Sequence, residues 1–523
     1  DDYYIATSTF EWFPGVLIHH SRDLRHWRPL TYALDRVSQL DLRGVATAHG
    51  VWAPCLSYDK RSGLFYLVYT IVYGMNGRHF DLDNFIVTAP DIRGPWSEPR
   101  YVNSTGFDPS LFHDDDGQKW VVNLEWETRD GYEHPGWIVL QKWSVEQERL
   151  VGRPKRISRG ATDRGCLEAP HLYKHGGYYY LMTAEGGTGY GHAVAMARSR
   201  TIEGPYEPDP AGPLITSHVA AFDERGVDDS PKLHRFQPGL ELQKAGHGSL
   251  VETGNGEWYV AHLCARPLLP DPVCILGRET ALQKCVWTED GWLRMAEGGP
   301  LAAVETPAPD LPEHPFPSMP VRDDFDEGVL GIQYQTYRVP ADSSWLSFDR
   351  PGYLRMRGRG SIFSPRQMSL VARRLQAFRV RVETGVEFEP WHVRQSAGLT
   401  AFYSAMNFYY LRIYHSESLG VRCLGIMKGD LGRKSELRDA RVPIEGWPRV
   451  YLRFILDHRE LQFFYSSDGV EWKKIGPVLD ATILSDEYGF QKFTGAFAGL
   501  FVQDLHTQEL WADFDYFDYE ELA

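Results

Sequence analysis

The sequence predicts an all-β protein in which a five-bladed β-propeller is followed by a β-sandwich. Three observations predict it: a strand-like segment that recurs five times, a proline-rich segment near residue 310, and a second region of short strands beyond that segment. At 523 residues the chain is too long for one ordinary hydrophobic core, so more than one domain is expected.

The recurring segment combines aromatic and β-branched residues, which favour strands. Its five copies are residues 3–7, 65–69, 119–123, 178–182 and 257–261. Four copies follow a second strand-like element and a turn, and those elements are residues 52–56, 107–111, 168–172 and 246–250. Turns such as Asn255-Gly256 suit tight hairpins. Five copies of a small antiparallel sheet, without helical periodicity between them, predict a propeller over residues 1–305.

The first copy of the repeat differs from the others. No partner element precedes residues 3–7, because the chain as written starts two residues earlier. By the pattern of the other four copies, we expect an inner strand that belongs ahead of Asp1 to be missing. The sequence also opens without Met, so a longer N-terminus with a signal peptide is compatible with it.

The amino-acid composition of the sequence changes after the repeats. Residues 306–320 are rich in proline and predict a semi-rigid linker. Residues 321–523 contain alternating strand-like runs, for example 378–382 and 450–454, separated by turn signals. Short strands of this kind over about 200 residues predict a C-terminal β-sandwich domain.

Composition narrows the possible partners. A net charge of −15 argues against binding to nucleic acid, which needs basic surfaces. No run approaches the roughly 20 apolar residues of a membrane span. The six cysteines show no CxxC spacing, which favours neither a zinc site nor a disulfide framework and indicates a cytoplasmic location. The many aromatic residues suit strands, and they also suit the apolar faces of sugars.

Candidate chemistry lies at one end of the innermost strands, where a propeller brings equivalent positions of its blades together. Alignment of the four inner elements puts Asp108 and His247 at one position and Glu168 one residue earlier. Two carboxyl groups in different protonation states are what glycoside hydrolysis requires. Glu168 lies between apolar neighbours, which could keep its carboxyl neutral.

The same residues also have structural interpretations. Asp108 and Glu168 could simply accept hydrogen bonds from backbone groups in their turns, and His247 could be a core histidine. His19-His20 indicates a packed or solvated pair, and residues 114–117 indicate a hairpin turn rather than a calcium loop. The sequence has no G-x-S-x-G elbow, P-loop or G-x-G-x-x-G fingerprint.

Six stretches together resemble glycoside hydrolase family 43, in its β-xylosidase branch with a C-terminal concanavalin-like sandwich. They are DDYYIATSTFEWFPG (1–15), WAP (52–54), GFD (106–108), EAPH (168–171), GRET (277–280) and FTGAF (493–497). The resemblance runs along nearly the whole chain. It implies an inverting exo-β-1,4-xylosidase that releases xylose from the non-reducing ends of xylooligosaccharides.

The resemblance also implies roles for individual residues. Glu168 matches the general acid, Asp108 the carboxylate that tunes the acid and orients substrate, and Arg278 the arginine that hydrogen-bonds the terminal sugar. The family's general base belongs to a stretch ahead of Asp1, so no residue of this chain matches it. The remaining implied substrate contacts are Phe10, Trp12, Trp52, Trp126, His247 and Phe493. Phe493 would reach over from the sandwich and close the pocket, which explains exo action.

Several alternatives stay open at this point. An α-L-arabinofuranosidase, or a bifunctional enzyme, is the nearest rival, and a non-catalytic carbohydrate-binding protein is the rival from another class. No cofactor is required by the implied mechanism, although some relatives hold a calcium ion or a water near the residue that matches His247. We expect a xylooligosaccharide as the partner, no nucleic acid or membrane partner, and assembly as a homodimer or homotetramer.

Overall fold

The computed structural model describes residues 1–76, 79–132, 136–219, 232–490 and 493–523. Within these ranges the fold is almost entirely antiparallel β-structure, and the helical elements are short 3-10 turns at Leu233–Arg235, Arg438–Ala440, Ala481–Leu484 and Tyr488–Phe490. None of the described helices has the length and apolar character needed to span a membrane. All six cysteines are described and buried, and no disulfide joins them.

The N-terminal region consists of short strands, numbered here in chain order. They are β1 (Tyr3–Thr7), β2 (Trp12–Phe13), β3 (Gly15–Ser21), β4 (Arg28–Leu34), β5 (Gly50–Asp59), β6 (Leu64–Asn76), β7 (His79–Ala89), β8 (Arg100–Tyr101), β9 (Ser110–His113), β10 (Lys119–Trp126), β11 (Gly136–Ser144), β12 (Arg149–Ser158), β13 (Glu168–His175), β14 (Tyr178–Glu185), β15 (Ala193–Ser199), β16 (Glu207–Pro208), β17 (Ile215–Thr216), β18 (Gln243–Glu252), β19 (Trp258–Ala265), β20 (Glu279–Trp287) and β21 (Leu293–Met295).

These strands, apart from β2, form five antiparallel sheets in the described part of the chain. In chain order the sheets contain β1, β3 and β4; β5 to β8; β9 to β12; β13 to β17; and β18 to β21. The first strands of the last four sheets lie side by side, β5 against β9, β9 against β13 and β13 against β18. They therefore surround a common axis, and the predicted five-bladed propeller is confirmed.

The C-terminal region contains the remaining strands. They are β22 (Arg322–Asp323), β23 (Tyr334–Tyr337), β24 (Leu346–Ser347), β25 (Leu354–Arg357), β26 (Ser369–Arg374), β27 (Arg379–Glu387), β28 (Gln395–Ser404), β29 (Asn407–Ser416), β30 (Val421–Asp430), β31 (Arg433–Glu436), β32 (Val442–Pro443), β33 (Val450–Asp457), β34 (Glu460–Ser466), β35 (Lys473–Asp480), β36 (Phe497–Asp504), β37 (Trp511–Phe514) and β38 (Phe517–Glu521).

Two large antiparallel sheets, as far as the structure describes them, make up this region. Alternation along β33 explains how they pack: Val450, Leu452, Phe454 and Leu456 are buried, while the residues between them are partly exposed. Side chains of a strand point alternately to its two faces, so one face of β33 enters the core between the sheets. The predicted β-sandwich is confirmed as a concanavalin-like domain.

The propeller and the sandwich are packed against each other. Strand β2 of the N-terminal region pairs with β23, so it extends a sheet of the sandwich. Leu268, Ile275 and Leu276 of the propeller belong to the buried cluster that forms the sandwich core. The proline-rich segment has no regular secondary structure and lies along the propeller, where Tyr259 donates a hydrogen bond to the Pro307 carbonyl at 2.9 Å. The two domains therefore contact each other through a shared sheet and through a few propeller side chains buried in the sandwich core.

Candidate active site

The four inner strands share a backbone feature at the end where the candidate residues lie. The aligned position is Ala53, Asp108, Ala169 or His247, and all four have positive φ, between 40° and 54°. In β5, β13 and β18 the strand pairing slips at this position, as in a β-bulge. A non-glycine residue in the left-handed region costs about 1–3 kcal/mol, and such strain clusters at functional sites. The bulge re-aims the side chains around the axis.

Asp108 and Glu168 are brought together across two blades. The Asp108 carboxyl, 8% exposed, accepts a hydrogen bond of 3.1 Å from the backbone N–H of Ala169, the residue after Glu168. The Ser110 hydroxyl adds a bond of 2.6 Å to the Pro170 carbonyl, so the start of β9 is fastened to the start of β13. Asp108 does bond to backbone, as the structural interpretation allowed, but to that of the neighbouring blade.

The environment of Asp108 changes its protonation. Burial raises the pKa of Asp108 to about 7, and the hydrogen bond from Ala169 opposes that rise. Desolvation penalises the charged form of a carboxyl, so this group is neutral over a range in which an exposed aspartate is ionised. Glu168, the first residue of β13, remains partly exposed at the same end of the propeller. A buried carboxyl beside a partly exposed one keeps a proton at this end of the propeller up to about pH 7, as general acid catalysis requires.

Arg278 lies directly ahead of β20, at the same end of the propeller. Its Nη1 pairs with Asp486 Oδ2 of the sandwich at 2.5 Å, and its Nη2 donates to the Thr188 carbonyl at 2.8 Å. Its Nε is buried and has no acceptor among the described residues. The guanidinium lies 5.5 Å from the centroid of the Phe493 ring. Arginine has five donors in a fixed plane, so this one keeps donors for a ligand beyond those that hold it in place.

Four of the predicted aromatic residues form a continuous wall. Phe10 and Phe493 stack at 5.6 Å with an interplanar angle of 13°, one ring from each domain. Trp52 meets Phe493 edge to face at 6.0 Å, and it meets Phe107 in the same way at 5.8 Å. The ring centroids of Trp126 and Phe107 are 5.5 Å apart. Aromatic faces of this kind suit the apolar face of a sugar ring, and the role of these four residues as substrate contacts stays a prediction.

His247 lies at the axis with His171, and their ring centroids are 6.1 Å apart. Burial lowers the pKa of His247 to about 4 and that of His171 to about 3, so both rings are neutral near pH 7. Within the described residues, no group of three or more His, Cys, Asp or Glu side chains is arranged to hold a metal ion. A calcium ion beside His247 therefore stays a prediction.

Trp12 is the one predicted contact that the structure places elsewhere. Its side chain is fully buried, with 0% exposure, and its ring stacks on Phe497 at 3.9 Å and packs against Tyr337 and Phe402. The prediction that Trp12 walls the pocket is therefore wrong, because a side chain sealed between the domains has no surface left for a sugar. The cause is the pairing of β2 with β23, which turns Trp12 into the sandwich.

Sequence reasoning missed Asp486 and Thr188, the two acceptors that hold Arg278. Asp486 lies in the segment between β35 and β36, 208 residues from its partner in the chain. The only available signal was the Asp486-Glu487 pair a few residues ahead of Phe493. Acidic pairs are common on protein surfaces, so the signal was too weak to use.

Comparisons with known proteins identify the family of both domains. The family profile "Glycosyl hydrolases family 43" matches residues 1–293, and "Beta xylosidase C-terminal Concanavalin A-like domain" matches residues 322–520. A solved xylan beta-1,4-xylosidase from Bacillus halodurans C-125 superposes with a TM-score of 0.94 at 50% identity, over 100% of this chain and 96% of that one.

Two curated relatives are similar over nearly their whole length. Xylosidase/arabinosidase 43B of Humicola insolens is 46% identical, over 99% of this chain and 94% of that protein. The xylan 1,3-beta-xylosidase of a Vibrio species is 44% identical, over 100% of this chain and 96% of that protein. The family profile covers more than half of the chain, and the relatives extend the match to all of it. This chain belongs to glycoside hydrolase family 43 and carries that family's C-terminal concanavalin-like domain.

Proposed function

We propose that this protein is an inverting exo-β-1,4-xylosidase that removes xylose from the non-reducing ends of xylooligosaccharides. The observation that carries the proposal is the buried Asp108 carboxyl, hydrogen-bonded to the backbone directly after Glu168. A second carboxyl next to a candidate acid is what general acid catalysis of glycoside cleavage requires. A protein that only binds sugar has no need of this buried and strained arrangement.

In this proposal Glu168 is the general acid and donates its proton to the glycosidic oxygen as the bond to the leaving sugar breaks. Above about pH 7, where Asp108 ionises, it opposes release of that proton, because two carboxylates side by side are unfavourable. Arg278 donates hydrogen bonds to the hydroxyls of the terminal sugar. We assign no residue of the chain as the general base that activates water on the opposite face.

Exo action follows from the aromatic wall. Phe493 comes from the sandwich and stacks on Phe10, while Trp52 stands at right angles to it. Together they would close one side of the propeller opening, at the end where the candidate site lies, around the terminal sugar. A pocket that ends in such a wall admits the last residue of a chain but not its middle.

α-L-Arabinofuranosidase activity is a second candidate, alone or beside the first. The observation that favours it is the 46% identity to a fungal relative named for both xylosidase and arabinosidase activity. The linkage is a further question, since one relative is named for β-1,3 bonds and another for β-1,4 bonds. Substrates that differ in a single feature can separate these possibilities.

The decisive experiment is hydrolysis of β-1,4-xylobiose by the purified protein, with product anomers followed by proton NMR from the first minutes. We expect α-xylose to appear first, because a single displacement inverts the anomeric centre. β-Xylose first would mean retention and would contradict the mechanism. No release, together with measurable xylose binding, would favour the non-catalytic carbohydrate-binding alternative.

Matched substrates complete the assignment. β-1,3-xylobiose tests the linkage, and 4-nitrophenyl α-L-arabinofuranoside against 4-nitrophenyl β-D-xylopyranoside tests the sugar. We expect the highest kcat/KM on the β-1,4-linked xylosides. A higher value on the arabinofuranoside would replace the first candidate with the second. Parallel assays with EDTA and with added Ca²⁺ test the predicted ion beside His247.

A further inference from the structure

Two consecutive acidic residues of the sandwich reach into the propeller. Asp486 Oδ2 pairs with Arg278 Nη1 at 2.5 Å, and Glu487 Oε1 pairs with Lys244 Nζ. The exposed fractions of the side chains are 10% and 2% for the first pair and 2% and 12% for the second, counting the cation first. Buried charges are retained only where they are paired and hydrogen-bonded. These two ion pairs therefore define how the domains fit.

The backbone of residues 275–278 in the propeller also lies against that of residues 493–496, the sandwich loop. Arg278 N–H donates to the Phe493 carbonyl at 3.2 Å, and Ala496 N–H donates to the Ile275 carbonyl at 2.8 Å. A Cβ atom on Gly277 would lie 2.4 Å from the Gly495 nitrogen, so only glycine allows this approach. The sandwich loop is thus a fixed part of the site wall.

Asp486 is itself held in one orientation. Its Oδ1 accepts a hydrogen bond of 2.8 Å from the Tyr403 hydroxyl and lies 3.4 Å from the Gly495 nitrogen, which leaves Oδ2 directed at Arg278. On the other side, the Thr188 carbonyl binds Nη2 of the same guanidinium. Two acceptors, one from each domain, therefore fix the plane in which the remaining donors of Arg278 point.

We propose that Asp486 is a positioning residue that orients Arg278 toward the terminal sugar, so that the sandwich contributes to sugar recognition through a charge as well as through Phe493. This inference rests on the proposed function only in taking a pentose as the ligand. A charge-assisted bond between arginine and carboxylate is stronger and more directional than a neutral one. Loss of the charge should therefore release Arg278 from its orientation without removing any group that touches the sugar.

The test compares Asp486→Asn with Glu487→Gln, a matched control one residue away in the same loop. Asp486→Asn keeps the shape but weakens the hold on Arg278, and we expect xylose affinity and kcat/KM to fall about 10- to 100-fold, where each tenfold step corresponds to about 1.4 kcal/mol. Glu487→Gln removes the charge that pairs with Lys244 and keeps one side-chain oxygen that can accept the hydrogen bond from Cys274 N–H. We expect it to lower the unfolding temperature while xylose affinity stays within about twofold, because Arg278 keeps its partner.

Calorimetric titration with xylose makes the comparison independent of turnover. Equal losses of affinity in the two variants would mean that the loop is merely structural and would overturn the proposal, as would unchanged affinity in Asp486→Asn. If Asp486→Asn does not fold, Tyr403→Phe serves instead: it removes one bond to Asp486, and a smaller loss of affinity is expected, whereas none would overturn the proposal.

The same titration separates this inference from the proposed function. A wild-type protein that binds xylose but cleaves no xylobiose would contradict the proposed function, and the variants would still decide the role of Asp486. A wild-type protein that binds neither xylose nor arabinose would overturn both.

Discussion

The inner strands of the propeller differ at their two ends. The end that carries the candidate site residues is called the axis end here, and the end where each inner strand turns into the next is called the hairpin end. At the axis end, the aligned left-handed position holds Ala53, Asp108, Ala169 and His247, and three of the four lie in a bulge of the strand pairing. At the opposite end, where each inner strand turns into the next, the left-handed residues are Gly63, Gly117, Gly176, Gly177 and Gly256. The aligned position at the axis end therefore carries residues with side chains in this conformation, whereas the hairpin turns carry glycine in it.

The difference shows where the fold gives up stability. Glycine adopts a positive φ without steric cost, so it is the natural residue where the chain only has to turn. At the axis end, a side chain in the same conformation is strained, and buried groups such as Asp108 have shifted ionisation. We therefore expect substitutions at the axis end to change activity more than stability, and substitutions at the hairpin end to do the reverse.

The largest expected effect on activity is seen when substitutions at the two ends of β13 are compared. Glu168→Gln, at the axis end, should lower kcat on xylobiose by about 10²–10⁴-fold, because the leaving sugar loses its proton donor. Aryl xylosides with good leaving groups should lose much less, since they need little protonation. Steady-state kinetics on both substrates measures this. Equal losses on the two would contradict the role of Glu168.

His175→Ala, at the other end of the same strand, is the matched control. The His175 ring stacks on Trp287 at 4.1 Å, so its removal should cost about 1 kcal/mol of unfolding free energy. We expect kcat/KM to be unchanged. A loss of activity comparable with that of Glu168→Gln would break the distinction between the two ends.

Asp108→Asn should change the pH dependence of both rate and stability. The pKa of Asp108 is raised from 3.8 to about 7, so between these values the folded protein holds a proton that the unfolded chain has released. Its contribution to stability is therefore complete below about pH 4 and is lost as the pH rises to about 7. Denaturant titrations over this range should show a decline in the wild type that is absent from Asp108→Asn.

The rate profile gives an independent reading of the same variant. Asp108 becomes charged as the pH rises through about 7, and that charge opposes proton release from Glu168. Asparagine carries no charge, so the alkaline limb of kcat/KM should move to lower pH in Asp108→Asn. The control is Asp114→Asn at the hairpin end, where Asp114 accepts a hydrogen bond of 3.0 Å from Tyr179. An unchanged profile in Asp108→Asn, or an equal shift in Asp114→Asn, would remove the tuning role from Asp108.

The smallest effect comes from exchanging residue types between the ends. Gly256→Ala should lower the unfolding free energy by about 1–2 kcal/mol, because an L-residue is strained at a φ of 83°. Ala53→Gly relieves the same strain but adds disorder to the unfolded chain, so we expect a change between zero and about 1 kcal/mol of stabilisation. Thermal unfolding measures both. Clear destabilisation by Ala53→Gly would show that its bulge is not strained.

Local sequence patterns predicted much of this architecture. Each blade is built from hairpins whose strands adjoin in the chain, so the aromatic repeat and its glycine turns predicted the propeller directly. Because the blades are arranged in a ring, residues at equivalent positions of successive repeats also lie close together around the axis. For that reason the alignment of Asp108, Glu168 and His247 predicts a shared site from the sequence alone.

Contacts between the two domains lay beyond such patterns. The burial of Trp12 under Phe497 and the bond from Arg278 to Asp486 join segments that no repeat relates. Their geometry depends on how two separately formed cores dock, and docking depends on the summed shape and charge of many distant residues. The repeat thus revealed the blades and the carboxyl pair, whereas the orientation of Arg278 arose only when a loop about 200 residues away packed against it.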